Sequence, residues 1–145
     1  MNAEIHAAVS FSLGLAIWFF TKSFLGGMLC LAAGIIPDID HIIEFLMHYP
    51  RKEFSFERFY AECQDTGKRK KSGFKKLRLF FHSMELCIIL IVAALVTRNI
   101  YVISVALGYA SHMALDAIAN PIRASSYFFI KRIFVKFDTD KLMKQ

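Results

Sequence analysis

Hydrophobic residues fall into four long runs, 4–21, 24–47, 79–97 and 100–119, and polar residues collect almost entirely between and after them. The first, Glu4–Thr21, has about the length of ~20 residues that a helix needs to cross a bilayer core. Ala3 and Ala7, then Ser10 and Gly14, put small residues at helical spacing, which allows close helix packing. Thr21-Lys22-Ser23 is too short for anything but a tight link, so the second run returns antiparallel. Pro37 interrupts that second run; it lacks a backbone donor and disfavours helical geometry at Ile36, so the helix breaks there and resumes over 42–47. The third run, Leu79–Thr97, and the fourth, Ile100–Ala119, are joined by Arg98-Asn99, and Asn120-Pro121 ends the last. The pattern predicts an all-α integral membrane protein with four transmembrane helices, the second broken at Pro37.

Two stretches differ. Residues 48–78 are polar, basic and aromatic, a solvated loop with a short amphipathic helix expected at Phe54–Cys63. The tail, 121–145, mixes bulky apolar and basic residues over 123–137. It is too short and too charged to span, and predicts an amphipathic helix lying at the membrane surface. The membrane domain therefore covers 1–120 and the basic tail 121–145.

Composition agrees with this division. A chain of 145 residues, 56% apolar with mean hydropathy +0.43, is too apolar for an ordinary soluble domain. The formal charge of +6 would suit nucleic acid, but of 18 Lys and Arg, ten lie in 51–78 and six in 123–145. Lys22 and Arg98, in the two short links, are the remainder. By the positive-inside rule the N-terminus, the 48–78 loop and the C-terminus are cytoplasmic. The basic run Gly67–Gly73 reads as an anchor for anionic lipids, and nucleic acid is the lesser reading because no aromatic residues interleave it. The loop is also a surface for a cytosolic protein partner. Cys30, Cys63 and Cys87 have no paired spacing and suggest neither disulfides nor a thiolate site. Glu4 and the missing basic leader favour a first membrane helix over a cleaved signal.

Against this background the polar residues inside the runs are expensive. Pro37-Asp38-Ile39-Asp40-His41 places two carboxylates and an imidazole together, and His6, His82, Glu85, His112 and Asp116 lie in the other three runs. On an unbroken helix Asp38 and Asp40 would point about 200° apart, whereas a break can aim both at one point. Ser104, Gly108, His112 and Asp116, four apart, share one face. The assigned topology puts all eight acids and histidines at one membrane depth. Taken singly, Asp38 reads as a helix cap, Glu85 as a first-turn acid favoured by the helix dipole, and His112–Asp116 as a hydrogen-bonded pair. Taken together, with no Lys or Arg inside the runs, they lack a cation, and a metal ion is the natural one. Imidazole and carboxylate without thiolate suit zinc, manganese or iron. Eight ligands suit one ion with an outer shell or two ions, and the chemistry such a site supports is hydrolysis, with Asp38 or Asp40 as base.

At His6, Pro37-Asp38-Ile39-Asp40-His41, Phe81-His82-Ser83 and Gly108-Tyr109-Ala110-Ser111-His112 with Asp116, the chain resembles the YdjM-like membrane-bound metal-dependent hydrolases, also described as LexA-binding and inner-membrane-associated. The resemblance covers about 1–120. It implies a multi-pass protein of a bacterial-type inner membrane, distantly like the zinc-dependent phospholipase C and single-strand nuclease superfamily. It further implies zinc held by His6, Asp38 or Asp40, His82, His112 and Asp116, the other Asp being a base. The family's His-x-x-x-acid spacing occurs at His112–Asp116, while His82–Glu85 is one residue shorter. The expected function is hydrolysis of a phosphoester such as a phospholipid head group at the cytoplasmic face. A non-enzymatic membrane regulator or anchor with a structural metal is the alternative, and a metal transporter a further one, although the outer halves of the runs carry no matching polar residues.

Overall fold

The computed structural model describes residues 3–48, 55, 57, 59, 78–120 and 122–142. All regular structure among them is helical. Helix α1 is Ala3–Thr21, α2 Phe24–Ile35, α3 Ile39–His48, α4 Met84–Thr97 and α5 Ile100–Ala119. In the tail, a 3-10 turn at Ala124–Tyr127 leads into α6, Phe129–Phe134, and α7, Thr139–Leu142. Two helices are long and apolar enough to cross a membrane, over Glu4–Thr21 and Ile100–Ala119.

Small residues bring α1, α2 and α5 together. A Cβ on Gly14 would lie 2.7 Å from the Gly27 carbonyl oxygen of α2, and one on Gly108 would run into the Cys30 backbone. Backbones this close gain dispersion over their whole length, the packing mode of helices in lipid. Ser23 starts α2 by accepting from the Gly26 N–H at 3.1 Å. The expected break occurs: Pro37 sits inside a 3-10 turn, Ile36–Asp38, between α2 and α3. Helix α3 then turns Asp40, Glu44 and Phe45 inward, while Ile39, Ile42, Ile43, Leu46 and Met47 face out.

Three expectations need correction. The third run does not become a helix at Leu79: residues 79–83 are irregular, and α4 begins at Met84 with Ser83 capping the Leu86 N–H. At ~1.5 Å per residue, its 14 residues reach only about 20 Å, short of a ~30 Å core. Secondly, the tail is not one surface helix. It folds back, and Tyr127 and Leu142 are buried in a cluster with Leu79, Cys87, Tyr109 and Met113. Ile130, Ile133 and Phe134 stay exposed. Thirdly, the tail returns a basic residue to the interior, since Arg132 is only 1% exposed. The expectations for 48–78 lie outside the described residues apart from the ends and Ser55, Glu57 and Phe59, where the Phe59 ring meets that of Phe45 edge-on at 5.4 Å.

Candidate metal centre

The stripe on α5 behaves as its spacing predicts. His112 and Asp116 face the interior, both buried, with Ser104 and Gly108 on the same side. From α1, His6 Nε2 lies 3.0 Å from Asp116 Oδ1, and its ring stacks on that of His112 at 3.9 Å. His82 arrives from the irregular 79–83 segment, its Nε2 3.3 Å from Asp116 Oδ2 and 3.2 Å from His112 Nε2. Asp38, from the turn after Pro37, brings Oδ1 to 3.9 Å from His112 Nε2. Four chain segments thus bring together two carboxylates and three imidazoles.

The tautomers follow from the outer hydrogen bonds. His112 Nδ1 lies 2.8 Å from the Gly34 carbonyl oxygen, which only accepts, so Nδ1 carries the proton. His82 Nδ1 lies 3.2 Å from Asp40 Oδ2, again an acceptor. With a proton on Nδ1, each ring turns Nε2 toward the other and toward Asp116 Oδ2. The positive charge these three atoms can share is either a proton on His82 Nε2, donated to Asp116 and His112, or a metal ion. Carbonyl and carboxylate partners behind the ring nitrogens are what fix imidazole ligands on metals. Two further atoms, His6 Nδ1 and Asp40 Oδ1, are buried with no hydrogen-bond partner among the described residues. The donor set fits a metal ion.

Among the described residues, three groups place one ligand atom from each member within 4.8 Å: His6, Asp38 and His112; Asp38, His41 and His82; His82, His112 and Asp116. They overlap and use six of the eight residues picked from sequence. The other two act differently. Asp40 Oδ2 accepts from the Phe81 and His82 N–H groups and from the His82 ring, the His82 N–H at 3.0 Å. It sits behind His82 rather than beside it. Glu85 turns away altogether, accepting from the Phe129 N–H at 2.8 Å, the Ile130 N–H at 3.0 Å and the Ser83 hydroxyl.

Sequence reasoning missed Arg132 and Tyr109. The Arg132 guanidinium donates to the carbonyls of Leu79 and His82, and to that of Tyr127 at 3.2 Å. Burial lowers its pKa, against the opposing fields of Asp40 and Glu85. The Tyr109 hydroxyl lies against the carbonyls of Phe81 and Ser83 and accepts from the Ser83 N–H. Tyr109 stands one turn before the His112 stripe and was legible only as an apolar residue. Nothing in the sequence separates Arg132 from its neighbour Lys131.

Residues 1–126 match the sequence profile of the YdjM inner membrane protein family. The chain belongs to that family. No curated protein and no solved structure matches it. Family membership makes this an inner membrane protein, consistent with the two helices long enough to cross. Every residue of the YdjM-family chain in the three clusters lies inside the matched stretch, whereas Arg132 lies beyond it.

Proposed function

We propose that the protein is a membrane-embedded, metal-dependent hydrolase of phosphoesters, with a zinc-type ion held by His82, His112 and Asp116 and a second position offered by His6 and Asp38. The observation that carries this reading is the convergence of two Nε2 atoms and a carboxylate oxygen, with both imidazoles fixed from behind by Gly34 and Asp40. The ion, when bound, supplies Lewis acidity, polarising a phosphoryl oxygen and acidifying water. The chain's residues do the rest. Asp116 spans His6 with one oxygen and His82 with the other, holding two rings in a fixed array. Asp38, 23% exposed at its side chain, is the acid that substrate and water can reach, so it is the base in this reading. Asp40 is 1% exposed and committed to His82, so it positions rather than reacts.

In this reading α2 with α3, and α4 together with the irregular 79–83 segment before it, complete a four-span bundle with both termini and 48–78 in the cytoplasm. The exposed apolar face of α3 meets acyl chains, and the basic loop and tail draw anionic head groups to the centre. A phospholipid head group is the substrate most easily delivered. A second reading, a regulator or anchor with a structural metal, is favoured by one observation: His6, His82, His112 and Asp116 are each exposed by 2% or less.

The test is the metal content of detergent-purified protein, wild type against His112→Ala with Asp38→Ala, followed by hydrolysis of anionic phospholipid vesicles by Asp38→Asn. One or two equivalents of zinc, lost in the double variant, support the centre. Hydrolysis by wild type that Asp38→Asn abolishes while keeping its zinc supports the enzyme. Bound zinc with no hydrolysis selects the anchor, and no bound metal at any supplied concentration refutes both.

A further inference from the structure

We infer that Arg132 is a positioning residue of the metal centre, clamping the irregular 79–83 segment so that His82 is aimed at His112 and Asp116. The inference rests on the metal reading above and adds to it the tail, which no ligand comes from.

Segment 79–83 has no helical or sheet partner, yet Leu79, His82 and Ser83 are buried. A buried backbone needs its polar groups satisfied, and here three side chains from three other elements do so. Asp40 takes the N–H groups of Phe81 and His82. The Tyr109 hydroxyl accepts from the Ser83 N–H and directs its single proton at the carbonyls of Phe81 and Ser83. Arg132 takes the carbonyls of Leu79 and His82. The last pair stands at the two ends of a four-residue turn, so one rigid guanidinium fixes the spacing of the whole turn. A lysine ammonium lacks that planar fork.

The clamp is reciprocal. Glu85, just past the segment, accepts from the Phe129 and Ile130 N–H groups that open α6, and α6 carries Arg132 back to Leu79 and His82. The acid reads from sequence as a ligand but serves here to hold the arm that holds His82. Burying a guanidinium is costly unless its donors are met, and its Nε has no partner among the described residues. A residue kept at that cost, bonded to the backbone carbonyl of the histidine that faces the proposed ion, acts through the placement of that histidine.

The test is cobalt(II) binding by the full chain in detergent after chelator stripping, read as affinity and as the visible ligand-field spectrum. Arg132→Gln should weaken cobalt about 10–100-fold, the range for residues that orient a ligand, and should shift the spectrum toward that of His82→Ala. Arg132→Lys should not rescue it. Because the effect travels through His82, adding Arg132→Gln to His82→Ala should weaken cobalt no further. Should Arg132→Gln fail to run as a single species, Glu85→Gln loosens the same arm from its other end and should weaken cobalt in the same direction with the same dependence on His82. Cobalt affinity within twofold of wild type, or effects that add in the double variant, would overturn the inference while leaving the metal centre standing. A wild-type chain that binds no cobalt would overturn the proposed function and this inference with it.

Discussion

Gly108→Ala is the sharpest test of the packing that holds the centre. Its Cβ would enter the Cys30 backbone, 2.9 Å from the carbonyl carbon and 3.1 Å from Cα. Non-bonded carbons rest at about 3.5–4.0 Å, so α2 and α5 must part by roughly 0.6 Å or more. Cys30 and Gly108 each sit one turn from the pair that orients the ring, Gly34 and His112. The same displacement would stretch the 2.8 Å contact between His112 Nδ1 and the Gly34 carbonyl toward the limit of a hydrogen bond. The clash is with backbone, which no rotamer change relieves. Overpacking of this kind costs about 1–3 kcal/mol. Gly26→Ala is the milder comparison: its Cβ would meet the Ser23 and Ser104 hydroxyl oxygens at 3.0 and 3.1 Å, side-chain atoms whose movement costs a cap or a hydroxyl hydrogen bond but parts no helices. Thermal unfolding in detergent should show a large loss for Gly108→Ala and a small one for Gly26→Ala, and zinc affinity should fall in the first alone. Equal melting temperatures for the two variants would refute the backbone contact and the α2–α5 register built on it.

Other outcomes follow from single contacts. Asp116→Asn keeps the shape but removes the charge shared by His6, His82 and His112; a stabilisation by zinc of about 2.7 kcal/mol at a hundredfold excess over Kd should disappear from melting curves. Ser10 Oγ is buried with no partner among the described residues, so Ser10→Ala should leave stability unchanged or raised; a loss above ~1 kcal/mol would mean that the hydroxyl has a partner. The Tyr127 hydroxyl donates to the Asp116 carbonyl at 3.1 Å and accepts from Asn120 at 3.2 Å, and Tyr127→Phe should cost about 1 kcal/mol without changing zinc content. Burial raises the Tyr127 pKa, so its contribution is whole below the unfolded value of about 10 and is lost as pH climbs above that toward the folded value. Melting temperature should fall with alkaline pH in the wild type, and less steeply in Tyr127→Phe.

Much of the centre was legible because charge in an apolar run has few reasons to exist. The four-residue spacing on α5 fixed which face His112 and Asp116 share, and Pro37 announced the break that lets Asp38 turn inward. Spacing carries no information on what stands behind a ligand, so Asp40 and Asp38 looked interchangeable although one meets the His82 ring and the other the solvent-accessible side. The start of α4 was misread because Phe80 and Phe81 extend the apolar run. The Ser83 cap was a visible signal for a start at Met84, and hydrophobicity outweighed it. Arg132 was out of reach, since two of its three backbone-carbonyl partners lie about fifty positions away and a carbonyl has no residue type.

The contact between His6 and Asp116 spans 110 positions, and that separation is also an interval of time. At a synthesis rate of ~5–20 residues per second, α1 waits roughly 5–20 s in the membrane before the carboxylate that meets its histidine has been made. Asp38 and Asp40 wait less, Arg132 comes last, and until then several polar side chains are without their final neighbours. Completion of the cluster is therefore a late event in synthesis, and α1 is made before any of the residues that come to surround its histidine.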